Sequence, residues 1–354
     1  MKTKKIKNSP WKISLILAAL ILFMPGCLDI RITTLIRPNG SIEQTIQFQG
    51  EDSTEIANAN FALLKEEGWK KEWTKPEKDK FKLTVSKEFK SVKELNASMN
   101  PADTNQLVIR VHASLDRKFR WFFTRYVYTE TVLRASPYRS LDYHAYLTDE
   151  DVRLISMNEE DRKADPGFDS VKYKSAEKQF DEFLYRSMCE DFYDQLLSVL
   201  ADDKSLTLSK KDLGSKKEIL FRFLIDSLNT DTTDSILLAA NKIINHPDIE
   251  LIRAKYLSRF DGFQARMKFY GSTSDDSYKF AIRMPGLLLQ TNSPKIEGSE
   301  TGWDLSYYDF FFKDYTMTAE SRKVNTWAFI VAGLVLLVAL VSLITLLLRK
   351  RPSA

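Results

Sequence analysis

Basic and aromatic side chains interleave between residues 117 and 126, in a pattern that suits contact with a lipid surface. The stretch reads RKFRWFFTRY, and Arg134 and Arg139 extend its basic character. Guanidinium groups recognise phosphates, and Trp and Tyr rings favour the boundary between water and lipid. The residues leave one alternative open: an amphipathic strand whose Arg stems cover the core edge and pair with the many acids of the chain.

A single continuous strand through this stretch would sort its side chains onto two faces. Arg117 and Arg125 would share one face with three aromatic rings. Those rings belong to Phe119, Trp121 and Phe123. We therefore predict an aromatic stripe with an arginine at each end, and we expect Arg117 and Arg125 to bind an anionic lipid or another acidic amphiphile.

Residues for catalysis or metal binding do not cluster in the sequence. The three histidines, His112, His144 and His246, are isolated from one another, and no known phosphate-binding, nucleophile or zinc motif occurs. Residues 229–234 carry spaced acids but lack the Gly and the distal Glu of a calcium loop, so they predict a helix cap. We predict no enzymatic activity, no metal and no cofactor, although an acid/base pair among the many carboxylates stays open.

The chain contains two cysteines, Cys27 and Cys189. Cys189 lies in a helical pattern without a nearby histidine, so we expect a buried structural thiol rather than a reactive one. Cys27 follows an apolar run, Ile13 to Phe23, which is preceded by five lysines and is too short to span a bilayer. This arrangement is typical of a secretion signal with a break at Pro25 and Gly26.

The sequence Met24-Pro25-Gly26-Cys27 resembles the lipobox of bacterial lipoproteins, with Met in place of Leu and Pro in place of a small residue. The resemblance implies that Cys27 receives a diacylglyceryl thioether, carries acyl chains such as palmitate and becomes the mature N-terminus. The alternative is an ordinary signal peptide with an incidental cysteine. A modified Cys27 would leave Cys189 without a partner for an intramolecular disulfide.

An uncharged run from Trp327 to Leu348 is long enough to cross a bilayer as a helix, and a basic cluster follows it at 349–351. The signal peptide and this helix together predict an ectodomain outside the cytoplasm, a short cytoplasmic tail and residence in the inner membrane. Residues 1–27 carry five basic residues and 327–354 carry three, with no acids, so the whole-chain charge of +4 leaves −4 for residues 28–326. Nucleic acid is therefore not an expected partner.

Alternating apolar residues predict strands at both ends of the ectodomain, and helical periodicity fills the region between them. Asn39-Gly40 indicates a hairpin within 29–49, and the stretches GFQARMKFYG and SYKFAIRMPGLLLQT read as returning strands. We predict an α+β fold: a mixed, mostly antiparallel sheet with a helical insertion whose flanking strands share one sheet. The predicted segments are 1–26 (signal peptide), 27–136 and 263–326 (sheet domain), 137–262 (helical insertion), 327–348 (transmembrane helix) and 349–354 (tail).

Short motifs at both margins of the ectodomain resemble those of LppM-type membrane lipoproteins, over roughly 27–50 and 281–351. They comprise Cys27, Asn39-Gly40-Ser41, Pro285-Gly286, Asn292, Gly302-Trp303 and Arg349-Lys350-Arg351. The resemblance implies a mixed α/β sheet similar to lipid- or ligand-binding domains, and the helical insertion departs from it. The sequence as a whole leaves three hypotheses for the function. They are a non-enzymatic lipoprotein that binds an amphipathic ligand or envelope protein, an assembly partner that docks through its helical block, and an unrecognised hydrolase.

Overall fold

The computed structural model describes residues 28–64, 66–77, 80–100, 106–138, 140–227 and 232–349. Cys27, Arg139 and the end of the basic cluster lie outside them, so the predicted signal peptide, lipid attachment and tail stay predictions. The described strands are β1 (Asp29–Ile36), β2 (Ile42–Gly50), β3 (Lys70–Glu77), β4 (Lys80–Phe89), β5 (Val111–Arg120), β6 (Phe123–Val132), β7 (Ser277–Arg283), β8 (Leu287–Thr291), β9 (Lys295–Glu297), β10 (Glu300–Ser306) and β11 (Tyr315–Val324).

Helices fill the middle of the chain and its end. They are α1 (Ser53–Ala57), α2 (Val92–Met99), α3 (Asp149–Ser156), α4 (Glu159–Ala164), α5 (Ser170–Asp202), α6 (Lys210–Ser227), α7 (Thr233–Ile244), α8 (Pro247–Tyr256), α9 (Asp261–Thr273) and α10 (Thr326–Arg349). Several begin at caps that the sequence predicts. Thr148 forms a capping box with Asp151, Thr232 caps α7, and Pro247 occupies the first turn of α8.

The strands form two sheets, and each joins strands from both sides of the helical block. One sheet has the order β3-β4-β2-β1-β7-β10-β9, and the other has β5-β6-β11-β8. The pairing is antiparallel except between β1 and β7. The fold is therefore α+β with mostly antiparallel sheets, as the sequence predicts. Strands before the helical block pair with strands after it, as predicted, because β6 pairs with β11 and β1 pairs with β7. These pairings lie in two sheets rather than one, and β6 and β7, which flank the block directly, are in different sheets.

Two local features illustrate how the sequence specifies strands and where it misleads. The β1–β2 hairpin is confirmed: Gly40 has φ +92°, a conformation that suits glycine, and Asn39 Oδ1 accepts a hydrogen bond from the Ser41 nitrogen at 3.0 Å. The predicted strand at GFQARMKFYG is wrong, because these residues lie in α9. The alternating pattern of this stretch favours a strand, but tertiary packing favours a helix, because the helix buries Phe263 and Phe269.

The helical block packs onto the sheets through aromatic rings. Phe180 of α5 contacts Tyr308, Phe311 and Phe312 at centroid distances of 5.3–5.9 Å. Those three residues belong to the segment between β10 and β11, so α5 lies against the end of the sheets at which β11 begins. The buried apolar residues of strands and helices form one continuous core.

A single helix among the described residues is long and apolar enough to cross a membrane, and it spans Thr326–Leu346 within α10. Ala328 is its only described buried residue, and nearly all its other described side chains are exposed. An exposed apolar helix of this length needs an apolar environment outside the domain, which a bilayer provides. Membrane association through α10 follows from this exposure.

Candidate membrane-contact site

The basic and aromatic stretch forms the closed end of a hairpin. β5 and β6 pair antiparallel, with Arg120 opposite Phe123, so Trp121 and Phe122 form a two-residue turn. The expectation of one continuous strand is therefore wrong at this point. Neither turn residue is a usual turn former. The turn is held instead from outside the hairpin, because Asn325 donates to the carbonyl oxygens of Trp121 and Phe122 at 3.0 and 2.9 Å.

The hairpin register separates the two arginines that the sequence places together. Directly opposed residues of an antiparallel pair share a face, and Arg117 pairs with Tyr126 whereas Lys118 pairs with Arg125. Arg117 and Arg125 therefore lie on opposite faces, and the predicted stripe with an arginine at each end does not form. Phe119 shares the face of Arg117.

Both arginines have partners within the protein. Arg117 Nη1 donates to the carbonyl oxygen of Asn39 at 3.2 Å. Arg125 binds Glu320 through two hydrogen bonds of 2.7 and 2.6 Å, and this guanidinium lowers the pKa of the Glu320 carboxyl. Arg117 thus ties the hairpin to the β1–β2 turn, and Arg125 ties it to β11.

The aromatic rings of the hairpin tip, which we define as residues 119–123, pack against the first turn of α10. Phe119 stacks on Trp327 with ring centroids 6.2 Å apart and planes 5° apart, and Trp121 meets the same indole edge-on at 5.4 Å. Phe122 contacts Phe329 at 4.8 Å. These rings nevertheless stay about half exposed. The result is an aromatic collar around the base of an apolar helix, as found where membrane helices meet the interface.

One residue connects the soluble fold to α10. β11 ends at Val324 and α10 begins at Thr326. The intervening Asn325 also accepts a hydrogen bond from Thr124 Oγ1 at 3.1 Å and, through its carbonyl oxygen, one from the Ala328 nitrogen at 2.9 Å. The hairpin tip and the start of α10 are therefore fixed to each other.

Cations surround the collar, and some are available to a ligand. Lys118 pairs with Asp116 at 2.7 Å, and the Arg322 guanidinium lies 5.9 Å from the Phe123 ring centre. The side chains of Arg120 and Lys323 form no hydrogen bond or ion pair with another described residue. Exposed Leu287 and Val324 add apolar surface at the same end, where Leu287 pairs with Arg322. This end of the molecule combines exposed apolar surface with unneutralised positive charge.

The other candidate residues of the sequence show no convergence. His112 and His144 are exposed, and His246 Nδ1 caps α8 by accepting from the Asp248 nitrogen at 3.2 Å. Within the described ranges, no three metal-ligating side chains gather. Cys189 is fully buried on α5, which confirms the expected burial, and this burial raises the pKa of its thiol to about 12.

Sequence reasoning missed a cavity at the opposite side of the fold, beside the first described residue. A volume of about 200 Å³ is lined by Leu28 and by residues of α1 and of the α9–β7 connection, with the carboxylates of Glu55, Asp275 and Asp276 around it. The Leu28 nitrogen donates to Asp276 Oδ1 at 3.1 Å, and burial raises the pKa of that carboxyl to about 7. No signal in the sequence marks this cavity, because its residues are far apart along the chain.

No protein-family model matches the chain, and no curated protein matches it. Among solved structures, the chain is similar to the folded domain of the Mycobacterium tuberculosis LppM protein, determined by NMR. The identity is 9% and the TM-score 0.29, over 86% of this chain and 94% of that chain. A TM-score this low does not establish a shared fold, family or function. The LppM-type resemblance of the margins therefore stays a prediction.

Proposed function

We propose that the chain is a membrane-anchored, non-catalytic lipoprotein whose hairpin tip binds the headgroup layer of the bilayer that α10 enters. Arg120 and Lys323 take the role that the sequence assigns to Arg117 and Arg125, because they lack protein partners among the described residues. In this proposal Cys27 is lipidated, the domain lies outside the cytoplasm, and the membrane of α10 is the inner membrane. The amphipathic ligand is then the anionic lipid itself.

The packing of Phe119 and Trp121 on Trp327 carries this proposal. These rings are half exposed, yet they surround the first turn of a helix whose apolar side chains require lipid. Amphipathic rings gain most at the interface, where the ring body meets hydrocarbon and the polar edge meets water. Free guanidinium and ammonium groups beside such rings reach lipid phosphates, each contributing about 1 kcal/mol near an anionic surface.

The helical block supports the docking hypothesis less well. A docking helix would display apolar side chains, but residues 175–200 of α5 have no large exposed hydrophobic side chain. Among the described residues of the block, the large exposed hydrophobics are scattered singly over α5, α6, α7 and the turn after α8. They are Val171, Ile219, Leu238 and Leu257.

Tryptophan quenching by brominated lipids tests the contact with the bilayer. The full chain is reconstituted into vesicles whose lipids carry bromine near the headgroup. We expect Trp121→Phe to remove part of the quenchable emission. Trp73→Phe is the matched control, since Trp73 is exposed to the same extent, 51% against 50%, but lies on β3 of the other sheet. Equal quenching in both variants and in the unchanged chain would contradict the proposed contact.

Retention of anionic lipid tests the charged half of the proposal. Native mass spectrometry of the detergent-extracted chain counts the phosphatidylglycerol molecules that stay bound. We expect the double change Arg120→Gln, Lys323→Gln to reduce their number, whereas Lys211→Gln, an exposed charge on α6, leaves it unchanged. If Arg117→Gln and Arg125→Gln reduce retention more than the first pair, the lipid site is the one that the sequence predicts.

A further inference from the structure

The β1–β2 turn lies beside the hairpin that carries the tip. Tyr126 donates its hydroxyl hydrogen to the carbonyl oxygen of Pro38 at 2.8 Å, and Arg117 donates to the carbonyl oxygen of Asn39 at 3.2 Å. Tyr126 is only four residues from Phe122 in the turn. The end of β1 therefore points towards the base of α10, and we name this end of the domain the foot.

Leu28 lies at the opposite end, which we name the head. Its nitrogen is bonded to Asp276, and the hydroxyl of Tyr278 donates to the other oxygen of that carboxyl at 3.3 Å. The Tyr278 ring lies 5.2 Å from the Phe310 ring, and the Phe310 carbonyl oxygen accepts from the Ala135 nitrogen at 2.8 Å. Leu28 therefore lies at the same level as the residues that follow β6. The hairpin tip comes before β6 in the chain and lies at the other end of that strand.

The distance between head and foot follows from the length of the strands. Midway, Thr34 of β1 lies 3.0 Å from Glu130 of β6. Four residues later, Pro38 is bonded to Tyr126, which is four residues earlier than Glu130, so the two segments run side by side in opposite directions. Extended chain advances about 3.3 Å per residue. From the level of Leu28 to that of Phe122, the separation is therefore on the order of 40 Å.

Leu28, the residue that follows Cys27 in the sequence, is itself part of the folded head. Leu28 is 4% exposed, and β1 starts at the next residue. A residue bonded directly to Leu28 therefore lies within a few ångströms of the head. The glycerol of a diacylglyceryl group sits in the headgroup layer, so a lipid on Cys27 requires the head itself to touch a lipid surface.

Charge favours a domain that stands on its foot. The foot carries Arg120, Arg322 and Lys323, whereas the cavity at the head is lined by carboxylates and no Lys or Arg. An anionic bilayer attracts the first and repels the second. α10 buries only Ala328 among its described residues, so it leaves the foot rather than folding back along the domain.

We propose that the chain joins two lipid surfaces: α10 and the hairpin tip hold one bilayer, and the acyl chains on Cys27 enter a second, apposed surface at the head. This inference rests on the lipidation of Cys27 in the proposed function. It also assigns the helical block a place away from the bilayer of α10, because α5 packs near the head end of the sheets.

Two probes on the full, lipidated chain test the orientation. Single changes Lys118→Cys at the foot and Glu51→Cys at the head place a fluorophore on exposed positions. Glu51 follows Gly50, whose Cα lies so close to Leu28 that an added Cβ would overlap the Leu28 side chain. The buried thiol of Cys189 does not compete for the label. With quencher lipids in the vesicle that holds α10, we expect strong quenching at 118 and none at 51. Equal quenching at both positions means a domain that lies flat, and it overturns the proposal.

Capture of a second vesicle tests the bridge. Immobilised vesicles carrying the full chain receive fluorescent, protein-free vesicles of zwitterionic lipid, which does not repel the acidic head. We expect capture by the lipidated chain and its loss in Cys27→Ser. Absence of capture by a chain whose diacylglyceryl group is verified by mass spectrometry overturns the bridge alone. If mass spectrometry finds no diacylglyceryl group on the chain, the proposed lipidation is wrong and the bridge is wrong with it. The quenching at position 51 still reports the orientation of the domain in that case.

Discussion

The Leu28 nitrogen donates a hydrogen bond to Asp276 Oδ1 across 3.1 Å, and this bond joins the start of β1 to the connection that precedes β7. The two strands then pair in parallel, from Asp29 opposite Ser277 onwards. The helical block separates these strands in the sequence, so a side-chain carboxylate helps to bring together segments almost 250 residues apart.

We expect Asp276→Asn to stabilise the protein near neutral pH. Burial raises the pKa of Asp276 to about 7, above the value of about 3.9 in an unfolded chain. The folded state therefore binds the proton more tightly, and stability falls as the pH rises from about 4 to about 7. Asparagine keeps the acceptor for Leu28 and removes the charge. Melting of the full chain in detergent should show a flatter pH dependence and a gain of about 1–3 kcal/mol near pH 7. A lower melting temperature for the variant at neutral pH would show that the ionised carboxylate is the preferred form.

Glu130 should behave in the same direction, because burial raises the pKa of its carboxyl. The single hydroxyl proton of Thr34 cannot serve both Glu130 Oε2 and Gln44 Oε1, which lie 3.0 and 3.1 Å away. Hydrogen bonds from Tyr128 and Thr34 to the carboxylate offset part of this rise in pKa. A protonated Glu130 instead donates to Thr34, which then donates to Gln44. We expect Glu130→Gln to preserve folding and to increase stability at neutral and alkaline pH, with little change at acid pH. Thermal melting across pH measures this, and a loss of stability at every pH would argue for an ionised Glu130.

Asn325→Ala should loosen the hairpin tip without unfolding the sheets. The change removes the two side-chain hydrogen bonds, to the Trp121 carbonyl oxygen and from the Thr124 hydroxyl, each contributing about 1 kcal/mol. The backbone bond from the Asn325 nitrogen to Phe122 stays. We expect faster amide hydrogen exchange within residues 119–124. Asn292→Ala is the matched control, because Asn292 also bonds β11 by its side chain, at Thr316 and Thr318. Equal exchange at the tip in both variants would mean that Asn325 does not hold it.

Gly286→Ala should destabilise the protein strongly. Gly286 has φ +84°, and an added Cβ would overlap the Arg322 carbonyl oxygen and lie 2.9 Å from Lys323 Cα, both of which are backbone atoms. We expect a loss of about 3 kcal/mol or more. Gly298 has φ +65° but open space around its Cα, so Gly298→Ala should cost only about 1 kcal/mol. Denaturant melts of the two variants separate the clash from the backbone strain.

Local signals in the sequence predict the first hairpin and several helix starts because their causes are local. Asn39-Gly40 determines a tight turn, and Thr148 with Asp151 satisfies the first turn of α3. The turn at Trp121 and Phe122 has no such signal, since the residue that holds it, Asn325, is some 200 positions away. The face assignment of Arg117 and Arg125 fails for the same reason. One reversal of the chain changes which side chains share a face.

The sequence predicts which types of residue make up the candidate site, but it does not predict how they are arranged in space. Interleaved arginines and aromatics indicate a lipid-facing segment, and the structure places that segment beside α10. Which cations are free is decided by partners elsewhere in the chain, such as Glu320 for Arg125. The sequence contains many acids and cannot show which of them reaches the hairpin.

The single residue between β11 and α10 has a mechanical consequence. Asn325 is bonded to both turn residues of the hairpin and to the first turn of the helix, so it acts as a stiff joint rather than a swivel. A thinner or thicker bilayer changes the tilt of a membrane helix. When α10 tilts, β5, β6 and β11 have to rotate with it as a rigid body. Over a lever arm of roughly 40 Å, a few degrees of tilt at the joint displace the far end of the domain by several ångströms.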